Sequence, residues 1–542
     1  MKDHNSLWYK NAVFYEVSTR AYYDSNGDGI GDLKGLTQKL DHIQRLGVDC
    51  IWLLPIFPSP LIDDGYDISD YYNIHPDLGT IEDFKELVQE THKRGMRIIA
   101  DLVVNHTSDQ CEWFKQAKTD VHSPYHDYYV WSDDDQLYAD ARIIFVDSET
   151  SNWAWNEETR QYYWHRFYAC QPDLNYDNPA VREEMKNIMR FWLDMGIDGF
   201  RADAVPYLIE REGTTCENLP ETHAYLKEMR TLIDEEYPGC ILLAEANQWP
   251  QDLRPYFADG DEFHMAFQFP LMPQIFKALA KQDVSPIVEI MEMTPAIPDN
   301  CQWCTFLRNH DELTLEMVTE EDRQFLWNTY APVHRMRLNL GIRRRLAPLL
   351  DGDITKIELL YALLFSLPGT PIIYYGDEIG MGDNIYLEDR DGVRTPMQWN
   401  SDKNAGFSST GEDNLYLPII KSDQFSYLHI NVAEQARNED SLFNRIRRLL
   451  AIRKSNPVLA EGDYEFIQDS PDPALLAIKR CDSLETIFSL HNLSDQSITY
   501  DLRSHLAQGE ILYNLLEDMH LQEKCCCLKP YSYMWLKTAR SD

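Results

Sequence analysis

Eight short apolar segments recur along the first 375 residues, and each of them is too short to form a helix. Gly, Pro or Asp bounds each segment, and a helical pattern such as residues 33–46 or 81–94 can follow each one. The predicted strands are Ala12–Val17, Val48–Leu54, Met96–Val104, Gly199–Ala204, Ile241–Glu245, Met265–Phe269, Trp303–Arg308 and Pro371–Tyr375. Eight strand–helix units predict an α/β fold, a closed parallel (β/α)8 TIM barrel, whose functional residues gather at the carboxyl ends of the strands.

Two long segments interrupt this alternation, and a third follows it. Residues 105–173 are dense in Trp, Tyr and Asp and predict an inserted subdomain, the B subdomain, after strand three. Residues 312–353 form a second insertion, in which the basic segment Arg335–Arg345 is predicted to be a helix with a solvated face. From about residue 455, short alternating strands predict a C-terminal antiparallel β-sandwich. The predicted domains are the barrel (1–104 and 174–454), the B subdomain (105–173) and the sandwich (455–542).

The charge balance excludes several classes of partner. The chain has 89 acidic and 50 basic residues, a net charge of −39, and so acidic a surface repels phosphates. We therefore expect neither nucleic acid nor an anionic membrane as a partner. Residues Met1–Lys10 contain no apolar stretch typical of a signal peptide, and no segment approaches the roughly 20 apolar residues that cross a bilayer.

The cysteines indicate the compartment. There are eleven, an odd number that includes the run Cys525–Cys527, which favours a reducing compartment over a disulfide framework. Cys301 and Cys304 have the spacing of half a zinc ribbon, but no second pair lies at a suitable distance, so two buried thiols are expected. A cytoplasmic protein is predicted, and a homo-oligomer is left open.

Acidic side chains follow three of the predicted strands. Strand four ends in Asp203, strand five in Glu245 and strand seven in Asp311, with Arg201 two residues before the first of them. Neighbouring parallel strands lie about 4.8 Å apart, so the carboxylates of strands four and five can approach the roughly 5–5.5 Å of a retaining glycosidase pair. Taken singly, each acid could cap a helix and Arg201 could form a structural ion pair. Together the set indicates one protonated acid beside one ionised nucleophile.

Four segments resemble the signature regions of the alpha-amylase superfamily of glycoside hydrolases, in their usual order: Asp101–His106, Gly199–Asp203, Glu245 and Asn309–Asp311. Gln171–Asn175 resembles the additional motif near the end of that superfamily's inserted domain. The resemblance implies that Asp203 is the nucleophile, Glu245 the general acid/base and Asp311 the third carboxylate, which holds the sugar's 2- and 3-hydroxyls. It also implies a subsite for the glucosyl ring that is lined by Tyr66, Asp67, His106, Arg201 and His310.

Flanking segments are similar to the branch of this superfamily that acts on short alpha-glucosides, namely Gly65–Tyr71 and Arg390–Trp399. Others resemble the members of this branch that interconvert maltose and trehalose: Tyr207–Gly213, Glu217–His223, Ala246–Pro250, His310–Glu316, Asn339–Pro348 and Gly380–Asn384. The resemblance implies a disaccharide substrate, no organic cofactor, and an intramolecular transfer through a covalent glucosyl-aspartate with minor hydrolysis.

Two other functions remain to be separated from this one. The first is an alpha-glucosidase, which hydrolyses short alpha-glucosides. The second is a catalytically inactive barrel that serves as a partner subunit, and the intact Asp203, Glu245 and Asp311 argue against it.

An isomerase must retain the released glucose and exclude water from the glucosyl-enzyme. Candidates for closing the pocket lie on loops on opposite sides of the mouth: Tyr207, Asn247, Glu312, Glu316 and Arg394. Glu312 and Glu316 are four residues apart and would share a face if that segment is helical, with a merely solvated face as the alternative.

One acidic loop predicts calcium. Asp24, Asn26, Asp28 and Asp32 place side-chain oxygens at positions one, three, five and nine, and Ile30 offers a carbonyl at position seven, as in the front of an EF-hand loop. Position twelve is a glycine rather than the bidentate Glu, so we predict a structural Ca²⁺ loop outside an EF-hand, with a solvated acidic turn as the alternative. The resemblance supports this metal and implies a second structural calcium, with these ligands: Asn105, Asp173, Glu210 and the carbonyls of Tyr207 and Leu208.

Overall fold

A computed structural model of the protein describes residues 7–422 and 424–540; part of the amino-terminal segment considered above, residues 1–6, lies outside them, as do residues 541–542. Eight parallel strands close a barrel in chain order: Phe14–Val17, Cys50–Leu53, Arg97–Val103, Gly199–Asp203, Ile241–Ala244, Met265–Phe267, Gln302–Phe306 and Thr370–Tyr374. Phe14 pairs with Cys50 on one side and with Ile372 on the other, which closes the cylinder. The predicted (β/α)8 barrel is confirmed, and each predicted strand ends within two residues of the observed one.

The strands are almost wholly buried because helices cover the outside of the barrel while side chains fill its interior. The helix Leu33–Leu46 shows how the sequence sets helix boundaries: the side chain of Asp32 accepts a hydrogen bond from the amide of Gly35, and Gly47 ends the helix with a φ of 99°. The α-helices in the described residues are Thr19–Tyr22, Leu33–Leu46, Ile81–Lys93, Glu112–Ala117, Pro179–Leu193, Pro220–Glu236, Pro250–Leu253, Leu271–Lys281, Ser285–Met293, Glu320–Tyr330, Leu346–Leu349, Ile354–Ser366, Val432–Arg437, Leu442–Ser455 and Val458–Glu461.

The segment inserted after the third barrel strand has a small antiparallel sheet of its own. Its strands are Trp131–Ser132, Trp153–Asn156 and Gln161–Trp164, with the last of them in the centre. A single bridge between His106 and Asp173 attaches the two ends of the segment to each other beside the barrel. The insertion therefore begins and ends at the carboxyl edge of the barrel.

The second insertion differs from the prediction. Residues 335–345 are not a helix: the short strands Arg337–Leu338 and Gly341–Ile342 pair with each other, and the second also pairs with Leu313–Thr314. Asn339 has a φ of 47° at the tip of this hairpin, a left-handed conformation that a helix cannot contain. The α-helices of this insertion lie on either side of that segment, at Glu320–Tyr330 and Leu346–Leu349.

The C-terminal part is built from two antiparallel sheets. One has six strands, Asp463–Ile467, Leu475–Cys481, Thr486–Asn492, Glu510–Asn514, Met519–Leu521 and Tyr533–Arg540, and the other has two, Ile498–Asp501 and Cys525–Leu528. Both sheets contribute to one buried apolar cluster, with Phe488 and Leu490 from the first and Tyr500 and Leu528 from the second. The predicted antiparallel sandwich is confirmed.

Two buried arginines bond to the end of the helix Ile354–Ser366 and the residues that follow it. Arg453, on the helix Leu442–Ser455, donates hydrogen bonds to the carbonyls of Phe365, at 2.5 Å, and Gly369, at 2.7 Å. Arg480, on a strand of the sandwich, donates to the carbonyl of Ser366 at 3.0 Å. Arg480 thus joins the sandwich to the last strand–helix unit of the barrel.

Cys301 and Cys304 are two buried thiols, as expected. Within residues 7–422 and 424–540, we find no helix with both the length and the apolar character needed to span a membrane.

Candidate active site

A pocket of about 830 Å³, including its open mouth, lies at the carboxyl ends of the barrel strands. The residues that line it are Asp63, Tyr66, His106, Ile144, Phe145, Phe167, Asp203, Ala204, Tyr207, Glu245, Asn247, Phe269, Asn309, Asp311, Glu312, Thr314, Glu316 and Arg390. All three carboxylates at the predicted strand ends are therefore in the same pocket.

Asp203 and Glu245 lie side by side on neighbouring strands. The ladder pairs Ala202 with Ala244, so the next residue of each strand is at the same level. Arg201 contacts both carboxylates, with its Nη1 at 2.6 Å from Oδ1 of Asp203 and its Nη2 bonded to Oε1 of Glu245. One guanidinium therefore fixes the two acids at the separation of adjacent strands.

The environment gives the two acids different protonation. Burial raises the pKa of Asp203 to about 6, although the charge of Arg201 opposes this effect. Burial also raises the pKa of Glu245 to about 7, against Arg201 and with help from the charge of Asp203. At neutral pH the first is mostly ionised while much of the second is protonated, as a nucleophile and an acid require.

Arg201 itself does not line the pocket but lies behind it. It is 1% exposed and donates to Oδ1 of Asp101 at 2.6 Å, between the rings of Trp52 and Tyr66. Asp101 also accepts from the indole of Trp52 and the hydroxyl of Tyr66. This buried network holds Arg201 rigidly beneath the two acids.

Asp311 is held by three cations. Its Oδ1 accepts from Arg390 and from Arg394, each at 2.9 Å, and its Oδ2 lies 3.1 Å from Nε2 of His310. Burial alone would raise its pKa, but His310 and the two arginines hold the pKa of Asp311 well below its usual range. The third carboxylate is therefore an ionised, fixed acceptor for substrate hydroxyls.

Of three further residues predicted for the glucosyl subsite, two line the pocket and one does not. Tyr66 and His106 line the pocket, and burial lowers the pKa of His106 to about 3, so its imidazole is neutral. His310 lies behind Asp311 and stacks on Tyr66, with ring centroids 5.3 Å apart. His310 thus acts on the pocket through Asp311.

The structure does not place Asp67 in the pocket. Its carboxylate is fully buried and accepts from the hydroxyl of Ser59, at 2.7 Å, and the amide of Ile62, at 2.9 Å. It therefore folds the loop, and Asp63, four residues earlier, lines the pocket and pairs with Arg390 at 2.5 Å. Asp67 belongs to the segment Gly65–Tyr71, Asp63 lies two residues before that segment, and loop geometry decides which of the two acids faces the site.

Arg394 also lies deeper than predicted. It is 2% exposed and donates to the carbonyl of His310 at 3.0 Å as well as to Asp311, so it supports the third carboxylate instead of closing the mouth. Arg390, at the start of the same motif, lines the pocket instead. The turn Asp391–Val393 separates the two arginines, and both donate to Oδ1 of Asp311.

A polar network links several residues that line the pocket. Oε2 of Glu316 accepts from the amide of Asn247 at 2.8 Å and pairs with Arg142 at 3.2 Å. Arg142 also donates to Glu217, at 2.9 Å, and to the hydroxyl of Tyr207, at 3.2 Å. This network, which we call the mouth latch, joins the inserted segment to the loops after strands four, five and seven. The sequence analysis missed Arg142, because no motif marks it.

Other residues form the wall beside the latch. Glu312 lines the pocket, burial raises its pKa to about 7, and it accepts from Asn339 at 3.3 Å. Because Leu313–Thr314 is a strand, Glu312 and Glu316 do not share a helix face, yet both reach the pocket. Phe145 and Phe167, also missed from sequence, supply an apolar wall from the inserted segment.

The second predicted calcium site contains unpartnered oxygens. Oδ1 of Asn105, Oδ2 of Asp173 and Oε1 of Glu210 are buried, and none has a hydrogen-bond partner in the described residues. Burial raises the pKa of Asp173 to about 8, and burial together with Asp173 raises the pKa of Glu210. Such orphaned oxygens are destabilising without a partner, and a hard divalent cation would satisfy all three.

This donor set mixes residue types. Within residues 7–422 and 424–540 no group of three or more His, Cys, Asp and Glu side chains could hold a metal ion. The set described here has two carboxylates and one amide, and the predicted carbonyls of Tyr207 and Leu208 just precede Glu210 in the chain. The residues present therefore fit calcium chemistry.

The first predicted calcium loop is held by its own backbone. Asp24 accepts from the amide of Asn26, which in turn accepts from that of Asp28, and Asp28 accepts from that of Ile30. Asp32 caps the following helix. In the described part of the chain, no side-chain oxygen of this loop is buried without a partner. The geometry of this loop therefore does not require a cation, and calcium there stays a prediction.

Comparisons with known proteins agree with this site. The sequence matches the family described as alpha amylase, catalytic domain, over residues 16–338 and 343–462. It is 59% identical over 477 residues to "Trehalose synthase/amylase TreS" of Mycolicibacterium smegmatis, covering 87% of this chain and 80% of that relative. It is 53% identical over 524 residues to "Trehalose synthase" of Pimelobacter sp., covering 94% of this chain and 91% of the relative.

The fold has close counterparts among solved structures. Isomaltulose synthase from Klebsiella sp. superposes with a TM-score of 0.81 at 28% identity, covering 98% of this chain and 99% of the other. The family match extends through the barrel strands and includes Asp203, Glu245 and Asp311. The chain therefore belongs to the alpha-amylase family.

Proposed function

We propose that this protein interconverts maltose and trehalose by a retaining double displacement within one closed pocket, and that it is an intramolecular transferase. The observation that carries the proposal is that Asp203 and Glu245 lie at the ends of adjacent strands and both contact the guanidinium of Arg201. The separation of adjacent strands suits two carboxylates that act through a covalent glycosyl-enzyme. The names of the relatives, trehalose synthases at 53–59% identity, support the substrate.

In the first displacement Asp203 attacks the anomeric carbon of the non-reducing glucose. Glu245 donates its proton to the departing oxygen, and its raised pKa of about 7 keeps that proton available near neutral pH. Asp311, ionised and held at both oxygens, accepts hydrogen bonds from the hydroxyls of the same glucose. The products are a glucosyl ester of Asp203, a free glucose and an ionised Glu245.

In the second displacement the released glucose attacks the ester. It must turn so that its own anomeric hydroxyl faces Glu245, which removes the proton and returns to its acid form. Two inversions preserve the alpha configuration of the transferred glucose. If water attacks instead, the outcome is hydrolysis to two glucoses, so retention of glucose decides the product.

The alternative function, an alpha-glucosidase, uses the same first displacement. The observation that favours the isomerase is the mouth latch, in which Arg142 and Glu316 connect three loops and the inserted segment above the pocket. Such a barrier keeps a released glucose near the ester and slows the entry of bulk water.

We further propose that calcium binds at Asn105, Asp173 and Glu210, with the carbonyls of Tyr207 and Leu208, because the orphaned oxygens there match its ligand preferences. When bound, the ion would neutralise two buried carboxylates and stiffen the chain beside Tyr207, which belongs to the mouth latch. The odd number of cysteines and the run Cys525–Cys527 support a reducing compartment, and we propose the cytoplasm.

The proposal is tested by incubating the purified protein with maltose and separating trehalose from glucose by chromatography. We expect trehalose as the main product, with a smaller amount of glucose, and the reverse reaction from trehalose. Glucose without trehalose would show a hydrolase, and no conversion of either disaccharide would refute both functions. The Asp203→Asn variant is the matched control for contaminating activity.

A further inference from the structure

Glu16 is a buried acid that the catalytic scheme does not use. It lies on the first barrel strand, is 0% exposed and does not line the pocket. Its Oε1 accepts two hydrogen bonds from His310, one from the backbone amide at 3.0 Å and one from ring Nδ1 at 2.5 Å. Its other oxygen, Oε2, has no hydrogen-bond partner in the described residues. An acid in this position needs an explanation, since an unpartnered buried carboxylate oxygen is destabilising.

The other ring nitrogen of His310 also faces a carboxylate. Nε2 lies 3.1 Å from Oδ2 of Asp311 and 2.8 Å from the hydroxyl of Tyr66. That hydroxyl donates to Asp101, so it can accept from the ring. Ionised carboxylates only accept hydrogen bonds, and therefore both nitrogens must donate, which makes the ring an imidazolium.

We propose that Glu16 is a positioning residue that keeps both nitrogens of His310 protonated, so that the resulting cation holds Asp311 in place for the substrate. The role of Asp311 in this inference rests on the proposed function, but the charge of the ring does not. If the ring lost a proton while Glu16 retained the Nδ1 hydrogen, the lone pair of Nε2 would face the Asp311 carboxylate and repel it.

The charges around this unit agree with the inference. Burial lowers the pKa of His310, but the charges of Asp311 and Glu16 outweigh it and raise the pKa to about 9. The other titratable or charged groups that face the ring or Glu16 are Tyr66, Asp101, Arg308, Tyr374 and Arg394. Of these, Arg308 and Arg394 are cations, whereas the carboxylates of Glu16 and Asp311 contact the two ring nitrogens and favour the protonated ring.

Glu378 provides a matched control. It is equally buried and contacts a histidine, with Oε1 at 2.8 Å from Nε2 of His42 and 3.0 Å from the hydroxyl of Tyr15. Tyr15 and Glu16 are neighbours on the first barrel strand, so their side chains point to opposite faces of it. Tyr15 contacts Glu378, whereas Glu16 contacts His310. Glu378 and Glu16 therefore lie on opposite sides of this strand. Glu378→Gln therefore reports the effect of neutralising a buried acid away from the pocket.

The test is a titration of His310 followed by NMR of histidine ring nitrogens labelled with ¹⁵N, with the signal assigned from the His310→Gln variant. In the unmodified protein we expect both ring nitrogens to stay protonated up to a midpoint near pH 9. Glu16→Gln should lower that midpoint by about 1–3 pH units, and Glu378→Gln should leave it unchanged. A neutral ring at about pH 7 in the unmodified protein, or an unchanged midpoint in Glu16→Gln, would overturn the inference.

A kinetic readout then links the charge to the reaction. Between about pH 6.5 and pH 8, the kcat/KM of Glu16→Gln on maltose should fall several-fold more than that of Glu378→Gln, because only the first variant loses the imidazolium in this range. Glu16→Asp, which keeps the carboxylate charge, should return the titration midpoint of His310 most of the way to its value in the unmodified protein. Equal pH profiles of the two Gln variants would count against Glu16. If instead maltose gives no trehalose in the unmodified protein, the proposed function fails while the NMR result still decides the charge of His310.

Discussion

Replacing Glu316 with alanine should change the products more than the rate. The side chain accepts from Asn247 and pairs with Arg142, so Glu316→Ala removes the acid at the centre of the mouth latch. Asp203, Glu245 and Asp311 have no contact with Glu316 among the described hydrogen bonds and ion pairs, so the first displacement should continue. We expect the fraction of free glucose to rise and the fraction of trehalose to fall.

The hydrogen bond from Asn247 and the ion pair with Arg142 set the size of this effect. A hydrogen bond to a charged group contributes about 1.5–3 kcal/mol. The ion pair adds at most about 1 kcal/mol, because the Arg142 side chain is 35% exposed and solvent screens it. A loss of about 2 kcal/mol from the closed state would raise the open population roughly 30-fold. The ratio of hydrolysis to isomerisation should rise by a similar factor until water captures most of the intermediate.

The assay is a time course with maltose in which glucose and trehalose are both quantified, with isotopically labelled glucose added in a second series. The label should enter trehalose poorly in the unmodified protein and more readily in the variant. Glu221→Ala is the matched control, because Glu221 forms a 3.1 Å ion pair with Arg211, and neither residue lines the pocket. An unchanged product ratio, together with rapid entry of label in the unmodified protein, would refute the closed-pocket mechanism and favour an open transglucosidase.

Four further predictions concern the acids and the metal. Asp203→Asn should reduce turnover by several orders of magnitude, and a variant that kept a tenth of the activity would exclude Asp203 as nucleophile. Glu245→Gln should abolish action on maltose but still be glucosylated by a glucosyl fluoride, whose leaving group needs little protonation; mass spectrometry that detects no adduct would contradict this assignment. The activity profile should be bell-shaped with its maximum between about pH 6 and 7, because Asp203 becomes protonated below its pKa and Glu245 loses its proton above its own; a profile that is flat from pH 5 to pH 9 would count against both acids. Asp173→Asn should lower the melting temperature measured with calcium, and a chelator should no longer change the melting temperature of this variant. Asp28→Ala should lower the melting temperature less. Metal analysis that finds no calcium in the unmodified protein would remove the proposal.

The barrel, and the position of the strand-end acids in one pocket, could be predicted because two strong signals coincide. Strands that are buried on both faces give continuous apolar segments such as Ile241–Ala244, and parallel strands must place the residues that follow them at one edge. Asp203 and Glu245 directly end or follow such strands, so little freedom remained in their positions.

The differences from the predicted site lie in loops, where the loop conformation sets the direction of each side chain. Asp63 and Asp67 are four residues apart, and hydrogen bonds from the Ser59 hydroxyl and the amides of Ile62 and Asp63 turn Asp67 away from the pocket. Arg390 and Arg394 are likewise separated by a single turn. No periodicity encodes such choices, because they depend on contacts between segments far apart in the chain.

The basic segment 335–345 shows a different kind of error. Its charges suggested a solvated helix, but the left-handed Asn339 and the nearby Gly341 favour a hairpin, and Leu313–Thr314 offers a strand to pair with. Local composition could not reveal that partner, which lies more than 25 residues earlier.

The pairing of the first barrel strand with the eighth affects how this chain is made. About 360 residues separate Phe14 from Tyr374, and at about 5–20 residues per second a ribosome needs roughly 20–70 s to synthesise them. During this interval one edge of the first strand has no native partner, and such an edge favours pairing with other nascent chains. The contact of Arg480, in the sandwich, with the barrel forms later still. Lower growth temperatures or a chaperone that covers this edge should therefore raise the yield of folded protein more than changes to the finished molecule.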